Sequence, residues 1–187
     1  GAPEGTEGSG GEGGRPHGGL ARMPGLHGWP GDGGPFITLP LVYTTRPDRR
    51  GESNLGMYRM QVYDAQTTGM HWQIGKGGGY HYGVAEGRGQ GLPATVFLGG
   101  PPAMILAAIA PLPENIPEML LASLIAGHRI PQVHGRGPHP LVAMGEFALI
   151  GNVAPRQRKH EGPVGDHYGH YSLQHHYPGF PAQQMPH

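Results

Sequence analysis

Cysteine is absent from the 187 residues, which excludes a disulfide framework, thiolate catalysis and cysteine-ligated metal centres. An excess of charge is lacking too, since 13 Lys and Arg offset 13 Asp and Glu. With no basic tail or stripe, nucleic acid is not expected as a partner. Long apolar runs are missing; a run such as Met104 to Ala110 is far too short to cross a bilayer, so no membrane span is expected. The first residues show no charged segment followed by an apolar stretch, which leaves no signal peptide to read. A cytoplasmic location is the resulting expectation.

What is present is mostly glycine and proline. They number 36 and 21, about 30 % of the chain, a level at which low complexity has to be considered. Glycine is densest in Gly1 to Gly34, whereas apolar runs lie downstream. A flexible Gly-rich N-terminal segment over residues 1–25 is therefore expected, then a folded domain over 26–181 and a C-terminal tail over 182–187. Histidine is plentiful, 13 in all, with a cluster at His167, His170, His175, His176 and His187. Spacing there matches no zinc pattern, and a polar, aromatic-rich tail is the plainer reading.

Periodicity supplies the elements. Phe36 to Thr45 reads as one strand, with Pro40 marking an edge or bulge. Gly56 to Asp64 alternates: Tyr58, Met60 and Val62 face one way, Met57, Arg59, Gln61 and Tyr63 the other. Thr68 to Ile74 alternates again, with Met70, Trp72 and Ile74 opposed to His71 and Gln73. Asp64 to Thr67 is a turn of hairpin length between them. Two such strands predict an antiparallel sheet with one polar face, which in a small barrel could line a ligand site. Gly75 to Gly91 reads as a mobile glycine-rich connection, followed by a strand from Ala94 to Leu98. Pro101 and Pro102 start a helix that runs to Ala110, proline in a first turn having no N–H to lose. Pro117 opens a second helix, Glu118 to Ala126, ended by Gly127. Further strands are predicted at Arg129 to Val133 and Glu146 to Val153, and a loop at Gly162 to Gly169. The fold class is α+β: an antiparallel split β-barrel with short flanking helices.

Several motifs then occur in a characteristic order. Trp29-Pro30-Gly31-Asp32-Gly33-Gly34-Pro35-Phe36-Ile37-Thr38-Leu39-Pro40-Leu41 comes first, then Asn54-Leu55-Gly56-Met57-Tyr58-Arg59-Met60-Gln61-Val62. Thr67-Thr68-Gly69-Met70-His71-Trp72-Gln73-Ile74 follows, then Pro111-Leu112-Pro113-Glu114 leading to Glu118. Glu161-Gly162-Pro163-Val164-Gly165-Asp166-His167-Tyr168-Gly169 is last. Together they resemble the central domain of the UbiD-family decarboxylases, from Trp29 to Phe180.

That resemblance implies a flavin-reductase-like split barrel holding prenylated FMN, with a divalent ion, often manganese, and potassium near the phosphate. It places Arg59, Glu161 and Asp166 as the catalytic set and Asn54 and Glu118 as metal ligands. Thr38, Asn54, Met57, Arg59 and Pro111 fall at cofactor-lining positions. It further implies an aromatic or α,β-unsaturated acid as substrate, a flavin prenyltransferase as cofactor supplier, a setting such as ubiquinone biosynthesis, and a homo-oligomer. The family's C-terminal domain is expected to be absent. Gly75 stands where many relatives carry a metal-ligating His, for which His71 or His81 could substitute. A flavin module without turnover and a metal or interaction domain are the competing readings.

The residue types suit the implied chemistry. Decarboxylation leaves an electron pair that no side chain can hold well, which calls for a cofactor. An arginine is always charged and grips a carboxylate through two parallel N–H bonds. A glutamic acid can return a proton if burial or a neighbouring acid raises its pKa, and Asp166 is placed to be that neighbour. Asn54 and Glu118 offer the oxygen ligands hard cations prefer. Without the motifs each has a simpler explanation: a surface ion pair for Arg59, an exposed loop acid for Glu161, a turn for Asn54, and for Glu118 a first-turn acid favoured by the helix dipole.

Overall fold

The computed structural model describes residues 25–26, 35–64, 66–72, 76–113, 115–160 and 167–178, with backbone alone for 25–26, 156–160 and 167–178. Eleven strands and three helices occur among them. In chain order they begin with β1 (Gly25–Leu26), β2 (Phe36–Ile37), β3 (Leu41–Thr45), β4 (Ser53–Met57), β5 (Arg59–Val62) and β6 (Thr67–Trp72). Helix α1 (Gly77–Gly87), β7 (Leu92–Leu98), α2 (Pro102–Ile109) and α3 (Glu118–Ala126) follow. Last are β8 (Gln132–Val133), β9 (Leu141–Val142), β10 (Phe147–His160) and β11 (His167–Pro178).

Nine strands form one sheet in the order β1-β2-β5-β6-β11-β10-β7-β3-β4, and β8 pairs with β9 separately. Every pairing is antiparallel. The expected α+β class with an antiparallel sheet and a few short helices is what the chain forms. The hairpin predicted around Asp64 is there: its carboxylate accepts from the N–H groups of Gln66 and Thr67 at 2.7 and 2.8 Å, an Asx-type turn joining β5 to β6.

Strand β7 shows how the core is built. Leu92, Ala94, Val96 and Leu98 point into a cluster with Met60, Met70, Trp72 and Tyr82. Phe97 points to the other side, with Leu55, Met104, Ala107, Ile130 and Ile150. Successive side chains leave opposite faces, so from Ala94 to Leu98 this central strand is apolar on both faces except for buried Thr95, because both faces are covered there. Helix α1 supplies Tyr82 and Ala85 to the first cluster, while α2 and α3 supply Met104, Ala107, Met119 and Ala122 to the second.

Six expectations need correction. Gly56 to Asp64 is not one strand: β4 ends at Met57 on one edge of the sheet, and β5 starts at Arg59 between β2 and β6. Phe36 to Thr45 is two strands: the chain breaks at Thr38–Pro40, with Leu39 at φ 47°, and crosses from the β5 side of the sheet to the β7 side. Within the stretch Gly75 to Gly91, read as a mobile connection, 77–87 is helical. Its Tyr82 ring lies 5.6 Å from that of Trp72, and this tertiary packing overrides the low propensity of glycine. The strand predicted over Arg129 to Val133 shrinks to β8, and the loop predicted at Gly162 to Gly169 overlaps β11, which starts at His167. Finally, His167, His170, His175 and His176 lie not in a tail but in β11, which pairs with β10 and, from His167 to Ser172, also with β6. A strand in the middle of a sheet is satisfied by its backbone ladders whatever its polarity. No helix among the described residues is long and apolar enough to cross a membrane.

Candidate functional site

Where β4 and β5 meet, α1 begins and the α2–α3 link passes, the chain encloses a cavity of about 690 Å³. Asn54, Met57, Arg59, Pro111 and Glu118 all line it, so five of the expected site residues share one space. Thr38 does not; it is exposed at the bend after β2. Glu161 and Asp166 lie outside the described residues, as does Gly75.

One end of the cavity is a tight polar knot. Glu118 opens α3 after Pro117, and its Oε2 accepts from the Leu55 N–H at 3.0 Å. The Asn54 amide is best satisfied with its nitrogen toward Glu118 Oε1 at 3.3 Å and its oxygen accepting from the Gly78 N–H and the Tyr58 hydroxyl, each at 3.1 Å. Tyr58 also accepts from the Gly78 N–H at 3.0 Å. Burial raises the Glu118 carboxyl above the usual carboxylate range and raises the Tyr58 phenol likewise, because each charged form would lose water. Gly77 and Gly78 permit this closeness: a Cβ on Gly77 would sit 2.6 Å from the Asn54 amide, and one on Gly78 3.1 Å from the Trp72 ring. Gly77 also takes φ +50°, a conformation glycine adopts without steric cost.

The mouth is charged but largely neutralised. Arg46 bonds Asp48 at 2.6 and 3.1 Å and Glu52 at 2.9 Å, with its guanidinium 5.0 Å over the Tyr80 ring. Hydrogen bonds from Arg46 hold both carboxylates below their ordinary range. His81, buried beside them, is bonded through Nδ1 to Thr44 Oγ1 at 2.9 Å. Desolvation, then the Arg46 charge, depress its pKa to about 4, so it is neutral at pH 7. Arg59 is stacked 5.5 Å from the Phe36 ring, and Lys76 precedes α1. Met57, Ala108, Ala110, Pro111, Leu112 and Pro113 give the cavity its apolar lining.

Such a cavity, part of its lining apolar and the larger part polar or charged, is of the size of cofactor sites. A carboxylate and an amide oxygen are the donor types a hard cation takes, but here the amide turns its nitrogen to Glu118, so it would have to swing over to bring its oxygen to an ion shared with that carboxylate. No cluster of three His, Cys, Asp or Glu exists among the described residues, so phosphate or water oxygens would have to complete a shell. The sequence did not single out Tyr58, Arg46 or the Gly77–Gly78 approach. The Asn-x-x-x-Tyr spacing that lets the phenol reach back to the amide was the available signal for Tyr58.

Fold and cavity together define an antiparallel α+β ligand-binding domain. Residues 14–187 match the family model for the UbiD 3-octaprenyl-4-hydroxybenzoate carboxy-lyase Rift-related domain; the chain belongs to the UbiD family. It is 48 % identical over 169 residues to a Chlamydia pneumoniae protein named as a subunit of 4-hydroxybenzoate decarboxylase, covering 90 % of this chain and 29 % of that one. The chain thus spans under a third of the length of such curated relatives. It superposes with TM-score 0.75 and 24 % identity on an evolved dimeric form of the UbiD-class enzyme HmfF from Pelotomaculum thermopropionicum in complex with prFMN, covering 89 % of this chain and 42 % of that one. A flavin reductase with a split-barrel domain from Shewanella frigidimarina, 13 % identical, gives TM-score 0.54 over 80 % of this chain and 70 % of that one. These likenesses bear out the flavin-reductase-like architecture expected for the fold.

Proposed function

We propose that this chain is the prenylated-FMN-binding part of a non-oxidative carboxy-lyase acting on an aromatic or α,β-unsaturated acid. The observation that carries the reading is the convergence of Asn54, Met57, Arg59, Pro111 and Glu118 on one cavity, in a chain of this family. When bound, the prenylated flavin supplies the electron sink that side chains lack. Asn54 and Glu118 would hold a divalent cation, manganese by family likeness, against the cofactor phosphate, with potassium nearby. Met57 and Pro111 would pack on the ring system.

Arg59 would take the substrate carboxylate by two parallel N–H bonds, its guanidinium held by the Phe36 ring beneath. Glu161 would return the proton to carbon after carbon dioxide leaves. Asp166 would pair with Arg59 and, as a second acid, keep Glu161 protonated near neutrality. A cytoplasmic setting in quinone biosynthesis and supply of the cofactor by a flavin prenyltransferase complete the reading. A homo-oligomer is also proposed, because Leu106, Ile109, Leu120 and Leu124 leave an exposed aliphatic face on α2 and α3 of the kind that marks contact surfaces.

The test is reconstitution with prenylated FMN and manganese, followed by carbon dioxide release from 4-hydroxybenzoate and from a cinnamate-type acid. Turnover of either acid, lost on Glu161→Gln with the flavin spectrum intact, is expected. Flavin binding without turnover of any acid would reduce the chain to a cofactor module.

A further inference from the structure

Strand register brings a second polar side chain to the place where the acid should lie. Arg59 of β5 stands directly opposite His71 of β6. Paired positions on one face carry Cβ atoms about 4.5–5.5 Å apart. Both side chains line the cavity, while the next pair in the ladder, Met60 with Met70, is fully buried on the opposite face. The two polar groups therefore project together. Nδ1 of His71 is buried, while the residue lines the cavity. A carboxylate gripped by a guanidinium uses one lone pair on each oxygen and keeps others open to a further donor.

We propose that His71 is a substrate-binding residue: its Nε2–H donates to the carboxylate that Arg59 holds, making an Arg–His clamp for an organic acid anion. The assignment rests on the enzymatic reading above and deepens it. A lone arginine at the cavity edge would grip any small anion; the imidazole adds a fixed direction and so selects for a planar carboxylate set beside the strand pair.

Titration calorimetry on the flavin-loaded protein tests this with 4-hydroxybenzoate and its uncharged analogue 4-hydroxybenzamide. In His71→Leu the dissociation constant for the acid should rise about tenfold or more, as loss of a hydrogen bond to a charged group does, with amide and flavin affinities unchanged. His71→Gln, which keeps a side-chain N–H, should recover much of the loss and covers the case in which the leucine variant folds poorly. Equal acid affinity in wild type and His71→Leu overturns the clamp and leaves the decarboxylase reading standing. A drop in flavin affinity in both variants, with the flavin-loaded fraction binding acid normally, overturns it as well, by assigning His71 to the cofactor. A wild-type protein that binds flavin and no acid removes the enzymatic reading and the clamp with it.

Discussion

Glu118 is the residue whose environment says most about what it is for. Its carboxyl is desolvated, is hydrogen-bonded to a backbone N–H 63 positions away, and has no cation to offset its charge among the described residues. Replacing it with Gln keeps an oxygen for the Leu55 N–H and removes the charge, so the ligand-free protein should fold about as well. If the residue is a metal ligand, manganese with FMN should raise the Tm of the wild type and leave Glu118→Gln unmoved in differential scanning calorimetry; an equal rise in both would remove Glu118 from the metal shell. Gly77 offers a complementary experiment one shell away. A methyl there would press on Asn54 at 2.6 Å and sit on a positive φ, so Gly77→Ala should lower FMN affinity at least tenfold, measured by fluorescence quenching. Unchanged affinity would mean that the knot can yield without harm. Residue roles of this kind were legible only through motif context. Nothing in spacing pairs Asn54 with Glu118, because the contact is made by a helix start folded against a strand.

Among the elements, α3 was the most readable because local signals agree: Pro117 before it, an acid in its first turn, and Gly127 at φ +73° after it, with the Gly127 N–H bonded to Leu124 O at 3.2 Å. A Cβ on Gly127 would meet nothing within 4 Å. Gly127→Ala should therefore cost only the left-handed backbone penalty, about 1–2 kcal/mol, with flavin affinity intact. Urea denaturation checks the first and titration the second; a loss of flavin affinity would mean that the end of α3 is coupled to the cavity. Helix α1 and strand β11 were illegible for a shared reason. Their sequences are poor in the apolar periodicity that marks an element, and each is held by neighbours instead: α1 by Trp72 and the first core cluster, β11 by backbone ladders on both sides. The bend at Thr38–Pro40 was likewise hidden, because two short strands separated by three residues look like one strand with a proline. Hairpin β5–β6 was read correctly, since alternation and an Asp-led turn both act over a few residues.

At the scale of the whole molecule, two buried histidines, one in helix α1 and one in the β8–β9 loop, tie these segments to the sheet they cover, and they make its stability depend on pH. His139 reaches β7 through Nδ1 to Thr95 Oγ1 at 2.9 Å and β3 through Nε2 to Thr45 Oγ1 at 3.3 Å. Tyr43 abuts it edge-on, with ring centroids 5.2 Å apart. Burial depresses its pKa to about 4, as it does for His81, which has Arg46, Glu52 and Asp48 as its charged neighbours. In the unfolded chain both titrate near 6.5. Because the folded values are the lower ones, the unfolded state takes up protons first. The stability these neutral rings contribute is thus complete above pH 6.5 and is lost as pH falls toward 4, with a slope of at most about 1.4 kcal/mol per pH unit for each histidine. His139→Gln keeps a donor and an acceptor between the two threonines and removes one titrating group. Its urea-unfolding free energy, followed by Trp72 fluorescence in a Trp29→Phe background, should fall less steeply than that of the parent between pH 6.5 and 4. Parallel curves for the two proteins would show that His139 does not stay neutral in the fold, and that the acid sensitivity of the molecule has another source.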